Sequence, residues 1–112
     1  MNSNDHTLPL TFADELNRME TNLAQMSDAV RGYKQLCRCV ERMKAAMQAS
    51  GYEIVCLLGK PYTDGMLVIA NFVIDDQMAH DDLPIITRVA KPQVNFNGRM
   101  IQVAQVTVSQ PL

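Results

Sequence analysis

The chain has 112 residues, a formal net charge of −2 and a pI near 5.5, with 47% hydrophobic residues but 5% aromatic ones and no Trp. That length fits one domain, which buries only about two-thirds of the surface its unfolded form exposes. The mild acidity argues against a general nucleic-acid binder, which carries a basic patch. No apolar run reaches the ~18 residues of a membrane span, and three cysteines, an odd count, do not read as an exported disulfide framework.

In chain order, Met1 to Leu10 is a polar stretch containing Pro9, and its expected state is a disordered leader (1–10). It lacks the basic start and apolar core of a signal peptide. Thr11 followed by Asp14 resembles a capping box, and Glu15 adds the negative charge a helix start favours. Apolar residues then recur at Phe12, Leu16, Met19, Leu23, Met26 and Val30, alternating steps of four and three. This is a heptad seam, the spacing that keeps one stripe facing a partner helix.

Tyr33, Cys37, Val40 and Met47 continue the seam in phase, with Lys44 the one charged member. Two arrangements satisfy this pattern. One helix runs over residues 11–50, near 60 Å at ~1.5 Å per residue. Alternatively, Ser27-Asp28, a good N-cap pair, opens a second helix after a turn, and Gly32 weakens the middle by about 1 kcal/mol relative to Ala. In either arrangement the stripe is long for so small a chain, which predicts a helical dimerisation region over 11–50 and a homodimer. The eight methionines serve as core filler or as an adaptable interface.

Gly51 ends the helical pattern, and residues 51–110 read as a small β-domain. Ile54 to Leu58 is a short apolar run, closed by Gly59-Lys60-Pro61 and Asp64-Gly65. Met66 to Ile74 reads as a long strand, followed by an acidic loop from Asp75-Asp76 to Asp81-Asp82 that closes at Pro84. Ile85 to Val89 is a third strand. Val94 to Phe96 and Arg99 to Ile101 flank Asn97-Gly98, the pair that a two-residue hairpin turn prefers. A last strand runs to about Val108. Helices followed by a cluster of strands make the expected class α+β.

No catalytic constellation emerges. His6 and His80 are the two histidines, which leaves no pair for zinc and little for a His-based triad. Gly59-Lys60 lacks the remaining residues of a phosphate loop. Cys37 and Cys39 lack the spacing of a zinc or redox motif. Cys56 falls in an apolar strand, where a thiol is expected to be inert. The aspartates of the 75–82 loop match no EF-hand and read as a solvated loop that discourages strand-edge pairing. The expectation is therefore a cytoplasmic protein with reduced thiols and no metal, cofactor or enzymatic activity, which works by binding other proteins.

From Gly51 onward the chain resembles the C-terminal part of the GrpE family, the nucleotide-exchange factors of DnaK-type chaperones. Gly51-Tyr52-Glu53-Ile54 resembles the glycine-led end of the family's last helix. Gly59-Lys60-Pro61-Tyr62-Thr63-Asp64 resembles its Gly-x-Pro-aromatic segment, and Asp75 to Asp82 its variable acidic loop. Asn97-Gly98-Arg99-Met100-Ile101 and Ala104-Gln105-Val106-Thr107-Val108 resemble the final hairpin and strand. Val30-Arg31-Gly32-Tyr33 is similar to a glycine motif that opens the family's second bundle helix, so the resemblance spans roughly residues 28–108.

The resemblance implies two helices per subunit, a dimeric four-helix bundle with a small C-terminal mainly-β domain, and a turn at Ser27-Asp28. In the family, the β-domain docks on one lobe of the chaperone's ATPase domain and opens its nucleotide cleft, releasing ADP. Carried over by position, Arg99 and Val108 are partner contacts, and Asn97 and Gly98 shape the turn that presents them. The chain departs from the family at two places: it lacks the usual His after Asp64, and Lys91-Pro92-Gln93-Val94 replaces the Lys-Gly-Tyr lead into the hairpin. It also has no counterpart of the family's long paired N-terminal helix.

Overall fold

The computed structural model describes residues 5–112. Two helices, α1 (Thr7–Gln25) and α2 (Tyr33–Ala49), precede six strands: β1 (Tyr52–Val55), β2 (Val68–Ile74), β3 (Ile85–Lys91), β4 (Gln93–Phe96), β5 (Arg99–Gln102) and β6 (Ala104–Gln110). The fold is α+β, with the helices first and the strands after. No helix among the described residues is long and apolar enough to cross a membrane.

The expected leader extends too far along the chain. Met1 to Asn4 lie outside the described residues, but α1 begins at Thr7, four residues before the Thr11 start read from the sequence. Pro9 does not prevent this, because a first-turn residue has no N–H partner to lose. The helix start is supported instead by Asp5, whose Oδ1 accepts from the Thr7 hydroxyl (2.7 Å) and the Thr7 N–H (3.0 Å). Thr11 caps nothing; its hydroxyl donates back to the Thr7 carbonyl at 2.9 Å.

The helical region is two helices. Met26 turns extended (φ −87°, ψ 148°), and Ser27 organises the connection by accepting from the Ala29 N–H through Oγ (3.1 Å) and from the Val30 N–H through its carbonyl (3.1 Å). Ser27-Asp28 therefore forms the turn but does not cap the second helix, which starts five residues on behind Gly32. The helices run antiparallel: Glu20 receives Lys44 at 3.2 Å, and Leu16, Leu23 and Val40 form a buried cluster with Tyr33, Cys37, Met47 and Ile54. Lys44, the charged member of the seam, is thus paired where it meets α1.

The strands form two three-stranded sheets, ordered β1-β4-β5 and β2-β6-β3. The first is antiparallel throughout, with Tyr52 opposite Phe96 and Phe96 opposite Arg99. In the second, β2 runs parallel to β6, with Val68 opposite Ala104, and β3 runs antiparallel to β6. Its core is Leu57, Ile86, Ala104, Val106 and Val108. Cys56 departs from expectation: it lies just beyond β1 and is exposed, because the apolar run leaves the sheet at Val55 and only Leu57 turns inward.

Helix α1 joins the two halves. Asn17 Nδ2 donates to the Val89 carbonyl (2.9 Å), and Asp14 Oδ1 accepts from Gln102 Nε2 (2.9 Å), which also donates to the Pro92 carbonyl (2.8 Å).

Candidate protein-docking site

Two surfaces carry the residues read from the sequence. The first is the β4–β5 hairpin. Asn97 and Gly98 both have positive φ, 49° and 83°, as a two-residue turn matched to strand twist requires. The Asn97 N–H donates to the Gly51 carbonyl at 3.0 Å, so the end of α2 and the hairpin tip hold one another. Gly51 (φ 94°) packs so closely that a Cβ there would lie 2.5 Å from Asn97 Oδ1.

Behind the tip, Phe96 stacks against Tyr52 (ring centroids 4.5 Å apart) and His6 (4.7 Å), and His6 Nδ1 meets the Tyr52 hydroxyl at 2.8 Å. This cluster ties the start of α1 to β1 and β4. His6, read as part of a leader, is instead one of its three rings. Arg99 is exposed and enters no ion pair among the described residues. It borders a shallow hollow of about 430 Å³ with His6, Phe96, Asn97 and Ile101. The hollow offers a partner a mixed polar and apolar lining, with the Phe96 ring and Ile101 beside the Arg99 guanidinium, the group best shaped to hold a carboxylate through two hydrogen bonds.

Val108 does not belong to this surface. It lies in the middle of β6, is 0% exposed and packs in the sheet core, so the contact role carried over by position is corrected to a structural one.

The second surface is the helical hairpin. The heptad seam divides into two rows with different fates. Leu16 (2% exposed) and Leu23 are buried against α2, whereas Phe12 (54% exposed), Met19 and Met26 are exposed. Val40 is buried, Tyr33 and Met47 are half-buried against the same cluster, and Val30 is an exposed turn residue rather than a helical one. At 100° per residue, Phe12 and Met19 lie about 40° and 60° round α1 from Leu16, and Met26 follows at the helix's C-cap.

On α2, Leu36 and Met43 are exposed and lie the same amounts, about 40° and 60° in the same sequence sense, from Val40. Because the helices are antiparallel, these equal rotations bring both exposed rows to one side of the hairpin. Asn17 and Asp14, which bind the strands, lie on the other side of α1. Leu36 and Met43 escaped the sequence reading because they stand one residue out of phase with the seam; their own seven-residue spacing was the available signal.

Among the described residues, no three His, Cys, Asp or Glu side chains converge as a metal ion would need. Compared with known proteins, the chain matches no family model and no curated protein.

Proposed function

We propose that this chain is a GrpE-like cochaperone, a homodimer that promotes ADP release from a DnaK-type chaperone. The observation that carries the reading is Arg99: exposed, in no ion pair among the described residues, presented by the Asn97-Gly98 turn and flanked by the His6-Tyr52-Phe96 rings. Support also comes from the order of parts, a two-helix hairpin leading into a small β region whose final hairpin carries the motif resembling the family's. In this reading the unpartnered face of Phe12, Met19, Met26, Leu36 and Met43 pairs with that of a second copy, making a four-helix bundle.

The mechanism is a population shift. A factor that binds the open arrangement of the ATPase lobes more tightly than the closed one moves the equilibrium by that difference in affinity, and nucleotide leaves from the open state. The chain itself transfers no group and needs no cofactor for this.

The test is release of a fluorescent ADP analogue from the DnaK-type chaperone of the same cell, with and without this protein. Wild type is expected to speed release. Arg99→Ala is expected to weaken the effect by about 1–3 kcal/mol, roughly five- to a hundredfold in affinity. Arg99→Lys separates charge from shape: near-full activity means a point charge suffices, and loss means paired hydrogen bonding. Failure of the wild type to bind the chaperone or change ADP release removes the exchange-factor reading. A second reading, a dimerisation module with the same fold and no exchange activity, then stands, and the burial of Val108 favours it by removing one of two carried-over contacts.

A further inference from the structure

A strand at the edge of a sheet presents a row of N–H and C=O groups that another chain can pair with, and proteins ordinarily block such rows. In the β2-β6-β3 sheet the β3 edge is blocked along its length. The Gly59 N–H donates to the Ile86 carbonyl (2.8 Å), the Ile86 N–H to the Lys60 carbonyl (2.9 Å), the Tyr62 N–H to the Pro84 carbonyl (2.9 Å) and Asn17 Nδ2 to the Val89 carbonyl (2.9 Å). Two irregularities in register and the charges of Arg88 and Lys91 add to this. The outer strands of the other sheet, β1 and β5, are only four residues long.

The β2 edge has none of these devices. It is seven residues long, carries no charge or proline from Gly65 to Ile74, and pairs with β6 in unbroken register. Among the described residues no hydrogen bond reaches its outer side. Apart from Asn71 its side chains are apolar on both faces: Ile69 (60% exposed), Phe72, Val73 and Ile74 are all open to solvent.

Charge around the strand selects what can pair with it. Asp75 and Asp76 follow β2 directly, Asp81 and Asp82 close the same loop, and Asp64 precedes the strand. None of them is in an ion pair among the described residues. A second copy pairing antiparallel would bring its Asp64 toward Asp75 and Asp76, and one pairing parallel would set acid against acid; like charges across strands destabilise either pairing. A strand with basic residues at the end facing Asp75 and Asp76 meets no such cost. Antiparallel addition, the stronger geometry, puts those basic residues at the incoming segment's N-terminal end.

We propose that the free edge of β2 is a strand-addition site for an extended segment of another protein, in which one or two Lys or Arg residues precede alternating apolar side chains. Main-chain hydrogen bonds to β2 supply affinity, and the aspartates set the direction and the choice of sequence. This site is separate from the Arg99 hairpin and does not depend on the exchange-factor reading.

The test uses the full chain and capped, fluorescently labelled ten-residue peptides of alternating valine and threonine, led by two arginines or by two glutamates. A third peptide has prolines at alternate positions, which removes the N–H groups pairing needs. Anisotropy is expected to show the arginine-led peptide binding about fivefold tighter than the glutamate-led one, with the preference shrinking as salt is raised. Hydrogen exchange in that complex is expected to slow at alternate amides between Val68 and Ile74.

Ile69→Lys with Val73→Lys, both exposed positions, should abolish binding while leaving the melting temperature unchanged. Asp75→Asn with Asp76→Asn should abolish only the preference for arginine. Equal binding of the proline peptide, or absence of β2 protection with every peptide, overturns the proposal. Concentration-dependent β2 protection in the protein alone also overturns it, because that assigns the edge to a second copy.

Discussion

At the residue scale, Gly51 and Asn97 make the tightest junction between the helices and the strands. Any side chain at Gly51 must adopt φ near 94° and meet Asn97 Oδ1 and the Phe96 ring. Gly51→Ala is therefore expected to lose about 2–3 kcal/mol in urea unfolding, combining the left-handed backbone cost with the overlap. Arg99→Ala, at an exposed turn end, should stay within about 0.5 kcal/mol of wild type in the same measurement. Val108→Ala should cost about 2 kcal/mol, because it removes two buried methyl groups from a filled core. Stability thus separates the two residues that the family resemblance treats alike.

Asp5 offers a pH signature at the same scale. The Thr7 hydroxyl, and after it the Thr7 N–H, stabilise its carboxylate and hold the group below its ordinary value of 3.8. A depressed folded-state value means that the support to the α1 start is fully present above about pH 3.8 and is lost as pH falls through the lower folded value. The Thr7 amide resonance should follow that titration in wild type and stay flat in Asp5→Asn.

At the scale of elements, the strongest signals in the sequence were the periodic ones. The heptad spacing from Phe12 to Met47 identified a helical region without deciding between one helix and two, and Asn97-Gly98 identified the hairpin, because each depends on neighbours only a few residues apart. What local pattern does not carry is which side of a stripe meets what. Phe12 and Leu16 read as equal members of one seam, and only the docking of α2 and the strands buries Leu16 while leaving Phe12 exposed.

Arg99 was legible as part of a motif, but its surroundings were not, since His6 and Tyr52 come from segments 93 and 47 residues away in number. Val108 and Cys56 were misplaced for the same reason: inside or outside is decided by the third dimension. Thiol titration of the native protein should show Cys39 and Cys56 reacting readily and Cys37, half-buried against α1, reacting more slowly.

At the scale of the whole molecule, the chain is thin and extended. Its radius of gyration is 15.9 Å and its extents are 50 × 39 × 16 Å, whereas a compact domain of this length has a radius near 13 Å. Most of its buried apolar residues fall in two small clusters, one under the helices and one in the β2-β6-β3 sheet. Both facts fit a subunit whose helical face is completed by another copy.

The rows described above make that expectation sharper than the seam alone did. Replacing Leu23 with Asp tests the fold of one chain, because Leu23 is buried against its own α2; helicity and assembly should both fall. Phe12→Asp with Met19→Asp changes only the exposed row, so the product should keep its helical circular dichroism but no longer associate. Sedimentation of the wild type at micromolar concentration should give twice the 12.5 kDa chain mass, and that of the Phe12 and Met19 variant the single mass. A wild type that sediments as one chain refutes the bundle. A Phe12 and Met19 variant that pairs as well as the wild type refutes this face as the interface.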